Sequence, residues 1–136
     1  MTYARHIKSL FALLVASCMS TSCGLFDSGI VWRHGPYGLL WIDLTEDVRL
    51  SYDMGNGSWL GKVEPRVFAV GANSRHIVAK QHPGGAKNVT NYFIIDLRVD
   101  SPMNTGVIGP LTAEAFSEKS RDLALPEFTK ILTSLQ

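Results

Sequence analysis

The sequence predicts an α+β domain, an antiparallel β-meander of five or six strands with one or two C-terminal helices packed on one face. Three observations point there. From Ser28 onward, short apolar runs alternate with turn residues about every 8 to 14 positions, the rhythm of consecutive hairpins. Val48–Tyr52 and Tyr92–Val99 alternate apolar and polar side chains with the period of a half-buried strand. Helix signals are confined to the carboxyl end.

Leu39-Leu40-Trp41-Ile42-Asp43-Leu44 opens the meander, and Thr45-Glu46-Asp47 supplies a polar turn before Val48–Tyr52. Asp53-Met54-Gly55-Asn56-Gly57 closes a hairpin, because Gly and Asn tolerate positive φ at little steric cost. Trp59–Val63 returns from it and stops at Glu64-Pro65, since proline lacks the N–H a central ladder requires. Val67-Phe68-Ala69-Val70-Gly71 is apolar on both faces, as expected of a central strand covered on each side. A tight turn at Ala72–Arg75 leads to Ile77–Gln81, which pairs back on it. In Tyr92–Val99, the face carrying Phe93, Ile95, Leu97 and Val99 is the core face.

Pro110-Leu111-Thr112-Ala113-Glu114 is a helix start. Thr112 caps the first turn, Glu114 favours the positive end of the dipole, and Leu111 with Phe116 fits a hydrophobic staple, so a helix runs to about Ala124. After Pro126, the residues Phe128, Ile131, Leu132 and Leu135 are spaced for a second short helix.

The amino terminus is of a different kind. Met1–Lys8 carries Arg5, His6 and Lys8 with no acid, and the apolar run Leu10–Ala16 follows, which makes residues 1–17 a signal peptide. The run is far shorter than the roughly 20 residues a bilayer-spanning helix needs. Val15-Ala16-Ser17-Cys18 resembles the lipobox of bacterial lipoproteins. That resemblance implies a diacylglycerol on the Cys18 sulfur, cleavage before Cys18 and often a third acyl chain on the new amino group. Cys23, after Ser20-Thr21-Ser22, is the alternative lipidation site. Each buried methylene contributes about 0.8 kcal/mol, so two or three acyl chains hold a protein on its membrane. Residues 18–29 are then a lipidated tether, and residues 30–136 a single globular domain. Neither Met19 nor Gly24, which follow the candidate cysteines, is the aspartate of inner-membrane retention. The expected location is therefore the bacterial cell envelope, on the outer membrane facing the periplasm.

Composition narrows the function classes. A content of 46% hydrophobic and 18% charged residues is that of a globular protein. Loss of Arg5 and Lys8 with the signal leaves 11 basic against 12 acidic residues, a net of −1. The basic residues are scattered singly, so no nucleic-acid face is implied. Both cysteines precede residue 24, which excludes a disulfide, a thiolate nucleophile or a zinc–thiolate site within the domain.

No cofactor signature is present. Gly84-Gly85 and Gly55-x-Gly57 lack the lysine of a phosphate loop, and Gly57-Ser58-Trp59-Leu60-Gly61 lacks the order of a nucleophile elbow. His34, His76 and His82 match no metal-ligand spacing, so no metal site is assigned.

The segment His82–Thr90 is longer than a hairpin needs and joins two strong strands, and such loops on rigid sheets carry recognition. His82, Lys87, Asn88 and Thr90 are its candidate binding residues. Trp32, Trp41, Trp59, Tyr37 and Tyr52 are candidate anchors, although in a domain this small most aromatic rings belong to the core.

Tyr52–Gly57, Val67–Pro83, Thr90–Asp96 and Val107–Thr112 together resemble a family of small uncharacterised bacterial lipoproteins of unknown function. The resemblance implies one domain and carries no activity. The expected function is a lipid-anchored, non-enzymatic binding domain, bound to the membrane through its covalent lipid and to a protein partner in the envelope. A small rigid domain displayed there also suits an immunity or inhibitor-type lipoprotein. The alternative is a small envelope hydrolase using His82 or His34 with a carboxylate.

Overall fold

The computed structural model describes residues 27–136. They form two antiparallel sheets and one helix near the carboxyl end. The first sheet is a four-stranded meander in chain order: β1 (Ser28–His34), β2 (Tyr37–Ile42), β3 (Arg49–Asp53) and β4 (Trp59–Val63). In the second sheet, β5 (Val67–Ala72) pairs with β6 (His76–Gln81), β6 with β7 (Asn91–Asp96) and β7 with β8 (Val107–Leu111). The short β9 (Lys130–Ile131) closes the far edge beside β5, after α1 (Ala113–Leu123).

The described residues thus hold nine strands, more than the five or six expected. Three of the extra ones had weak signals. β1 carries no clean alternation and is irregular between Ile30 and Trp32, β8 contains Pro110, and β9 has only two residues.

The sheets share one core, because each turns an apolar face to the other. Tyr37, Leu39, Leu50 and Val63 come from the first sheet, and Val67, Val70, Ile77, Ala79, Phe93 and Ile95 from the second. Burying a side chain such as Leu39 or Leu50 completely contributes about 1.5–3 kcal/mol. The apolar faces of β5 are both covered, as its sequence demands: all of Val67–Gly71 is buried. Its outer face lies under the carboxyl segment, which runs so close that a Cβ on Gly71 would stand 1.8 Å from the Glu127 oxygen.

That crossing overturns the second expected helix. The backbone from Phe128 runs alongside β5, where Thr129 N donates to Val70 O and Leu132 N to Phe68 O. The open edge of β5 satisfies these groups in a strand, and this outweighs a seven-residue apolar pattern too short to sustain a helix.

The first helix forms as its signals require. The Thr112 hydroxyl accepts from Ala115 N at 3.2 Å, Glu114 lies in the first turn, and Ala124 ends the helix in the left-handed region. The helix packs on β7 and β8, with Phe116 4.9 Å from the Tyr92 ring. The Lys80 ammonium sits 4.5 Å from the Phe128 ring of the same cluster, a cation–π contact.

β7 is shorter than its alternation. Asp96 O accepts from Val99 N and Asp100 N, and the Asp96 carboxylate accepts from Arg98 N. The chain therefore turns at Asp96, and Val99, placed in the core by period two, is 54% exposed. Among the aromatic candidates, Tyr37 is buried, while Trp32, Trp41 and Tyr52 pack on the core. Trp59 instead lies across Gly38 on the outer face, its ring 2.8 Å from where a Cβ would stand, with the Arg33 guanidinium 4.8 Å from its centroid.

Candidate functional site

The turn at Asp96 builds one side of a recess at the edges of the two sheets. It carries Asp100 under the loop between β7 and β8 and against the first sheet, where the side chain is fully buried. A buried carboxylate is costly unless paired and hydrogen-bonded. Asp100 is both. Its Oδ2 accepts from the Tyr37 hydroxyl at 2.7 Å, and the Lys62 ammonium lies 2.9 Å from Oδ2 and 3.0 Å from Oδ1. Oδ1 also accepts from Gly106 N at 2.8 Å. Gly106 permits this approach, since a Cβ there would stand 2.6 Å from Asp96 O.

The Lys62 side chain is 6% exposed and also donates to Ser101 O at 2.9 Å. Its ammonium lies 5.7 Å from the Tyr52 ring, which meets Tyr37 edge-on at 5.1 Å. Burial first, then the hydrogen bond to Asp100 and that carboxylate's charge, push the Tyr37 hydroxyl well above the usual tyrosine range.

This clamp pins the loop Ser101–Thr105 at both ends. Together with β4 and β8, the edge strands of the two sheets, the loop walls a cleft of about 590 Å³. Leu60, Phe93, Met103 and Val107 line it, and Met103 stands at its rim 90% exposed. The hydrogen-bonding atoms of Tyr37 and Asp100 are engaged with one another, with Lys62 and with Gly106, so the clamp beneath the loop is suited to holding shape rather than moving protons.

The sequence candidates lie elsewhere. His82 follows β6, is 5% exposed and stacks on Phe68 with ring centroids 4.2 Å apart. Its Nδ1 donates to the Val89 carbonyl at 2.8 Å, while Nε2 is buried with no partner among the described residues. Lys87 is exposed and donates from Nζ to the Gln136 main-chain oxygen at 2.9 Å. His82 and Lys87 line one pocket of about 140 Å³ with Glu46, Arg66 and Ser134. Asn88 and Thr90 are not among its lining residues.

His34 belongs to the other sheet, stacked at 6.1 Å on Trp32, and is not among the residues lining the His82 pocket, which include the carboxylate of Glu46. His76 is buried on β6 opposite Asp96. Asp96 is held down to about 2, chiefly by the Arg98 side chain and main-chain N–H that it accepts. Among the described residues no three His, Cys, Asp or Glu gather into a group able to hold a metal ion. Cys18, Cys23 and the signal segment lie outside the described residues.

Residues 35–133 match a family described as a protein of unknown function, DUF3997. The chain belongs to the DUF3997 family. The match spans β2 through β9, and so contains the Lys62–Asp100 clamp, the whole cleft and every named lining residue of the His82 pocket except Ser134. The DUF3997 match begins after Val15–Cys18 and does not include that segment. No curated protein and no solved structure matches the chain. Among the described residues no helix is long and apolar enough to cross a membrane.

The clamp escapes sequence reasoning for a physical reason. Lys62 and Asp100 are 38 residues apart, and a lysine in an alternating edge strand reads as a solvated side chain.

Proposed function

We propose that this DUF3997 protein is a lipid-anchored envelope lipoprotein, held by acyl chains on Cys18 at the outer membrane, whose domain binds a protein partner through the cleft between β4 and β8. The observation that carries the binding reading is the buried clamp. It fixes an exposed loop bearing Met103 on a rigid scaffold beside a recess of mixed polar and apolar lining, the arrangement of a recognition surface rather than of a proton-transfer site. Methionine adapts its shape to a partner surface, which suits the exposed Met103 to an anchor role. The tether rests on the order of basic segment, apolar run and lipobox. An immunity or inhibitor-type role is the narrower form of the same reading, because occluding another protein needs only a rigid surface.

The test is a photocrosslinking side chain at position 103 of the full, lipidated chain in its native membrane. The reading expects one discrete adduct, lost when Leu60→Asp alters the opposite wall. Crosslinks that are diffuse, or that persist in Leu60→Asp, contradict it.

A hydrolase reading is favoured by one observation, the presence of His82 and Glu46 in the same pocket. It is the second choice, because the Val89 carbonyl occupies Nδ1 and burial shields Nε2. It expects a hydrolytic activity that disappears in His82→Ala.

A further inference from the structure

We infer that the pocket beside His82 is a binding site for a small oxyanion, with Arg66 and Lys87 as its ligands. This inference is independent of the cleft. The pocket, about 140 Å³, has room for a phosphate-sized anion or a short carboxylate.

Three separate segments converge on it: Glu46 follows β2, Arg66 precedes β5, and Lys87 follows the tight turn at Pro83–Gly85. Arg66 Nε lies 2.9 Å from Asp47 Oδ1, which orients the guanidinium. No acceptor among the described residues hydrogen-bonds to its two terminal nitrogens, so the planar fork that suits an oxyanion stays available. Lys87 uses one of its three ammonium protons on Gln136. Ser134 adds a hydroxyl to the wall, and among the described residues Glu46 is the only carboxylate lining it.

The backbone at Arg66 supplies a second, separate observation. Its φ is 77°, a left-handed conformation that favours glycine and strains a long side chain. The conformation is fixed from the neighbouring strand, where His82 N donates to Arg66 O at 3.0 Å. A guanidinium kept at a glycine-like position points to a use for the guanidinium. The loop lies against it, since a Cβ on Gly85 would stand in ordinary contact, 3.6 Å from the Arg66 guanidinium carbon. His82, stacked on Phe68 and tied to Val89, is the wall that holds this loop and not a ligand.

The test is calorimetric titration of the full, detergent-solubilised chain with inorganic phosphate, sulfate and acetate in turn, at constant ionic strength. Saturable one-site binding is expected, and the order of the three affinities tells a tetrahedral anion from a carboxylate. Arg66→Gln and Lys87→Met should each weaken it by about tenfold or more. Arg66→Gly, which relieves the backbone strain and therefore folds, should lose binding as well, while Lys119→Met on α1 should leave it unchanged. The inference is overturned by absence of saturable binding of all three anions up to about 10 mM, or by binding that Arg66→Gly and Lys87→Met leave intact.

Discussion

The Lys62 ammonium sits 2.9 Å from Asp100 Oδ2 in the interior, joining the last strand of the first sheet to the loop that follows β7. Loss of one partner strands the other as an uncompensated buried charge. Lys62→Met and Asp100→Leu are each expected to destabilise the fold by about 3–5 kcal/mol. The double variant should cost less than the two single losses combined, because neither charge then remains. Urea unfolding of all four proteins checks the coupling.

Tyr37 gives the clamp a pH signature. Its hydroxyl is raised above the ordinary tyrosine value, so the neutral form is favoured in the folded state. The stabilisation is complete below about pH 10, where a tyrosine of the unfolded chain ionises, and is lost as pH rises beyond that. Tyr37→Phe should cost about 1.5–3 kcal/mol at pH 7, the contribution of a hydrogen bond to a charged group. It should also flatten the alkaline fall in stability, which unfolding series at pH 8, 10 and 11 measure.

Asp96 gives a signature of the opposite sign. Arg98 holds its carboxyl down to about 2, so the stabilisation is present above about pH 4 and lost as pH falls toward 2. A carbon-detected NMR titration should place the Asp96 midpoint well below the ordinary aspartate value. Asp96→Asn should remove part of the acid sensitivity in that window.

Gly71→Ala tests the path of the carboxyl segment. The added methyl would meet the Glu127 main-chain oxygen at 1.8 Å, and backbone cannot swing aside as a flexible side chain can. A loss at or above the usual 1–3 kcal/mol of overpacking, about 3 kcal/mol, is expected. Hydrogen exchange should quicken at Thr129 and Leu132, whose N–H groups donate to β5, before it does in the sheet core.

Local signals were legible where local chemistry decides. The turn at Asp53–Gly57, the doubly buried β5, the Phe93–Ile95 core face and the Thr112 cap all depend on residues within a few positions of each other. Long-range relations were not. The edge of β5 captures the chain after Pro126 as β9, and nothing in residues 128–135 themselves announces that edge. The pairing of Lys62 with Asp100, and the closeness of Glu46 and Arg66 to the His82–Thr90 loop, arise only when the sheets stack. The overlong loop marks His82 and Lys87 locally in the sequence, whereas Arg66 gives no sign there of its left-handed backbone.

The tether is the claim on which the envelope role depends, and intact-mass spectrometry of the protein extracted from its native membrane tests it most directly. The expected species begins at Cys18 and carries a diacylglycerol, with or without a third acyl chain, and Cys18→Ser abolishes it. A chain that keeps its first 17 residues, or one that begins at Cys18 without any acyl mass, would contradict the account.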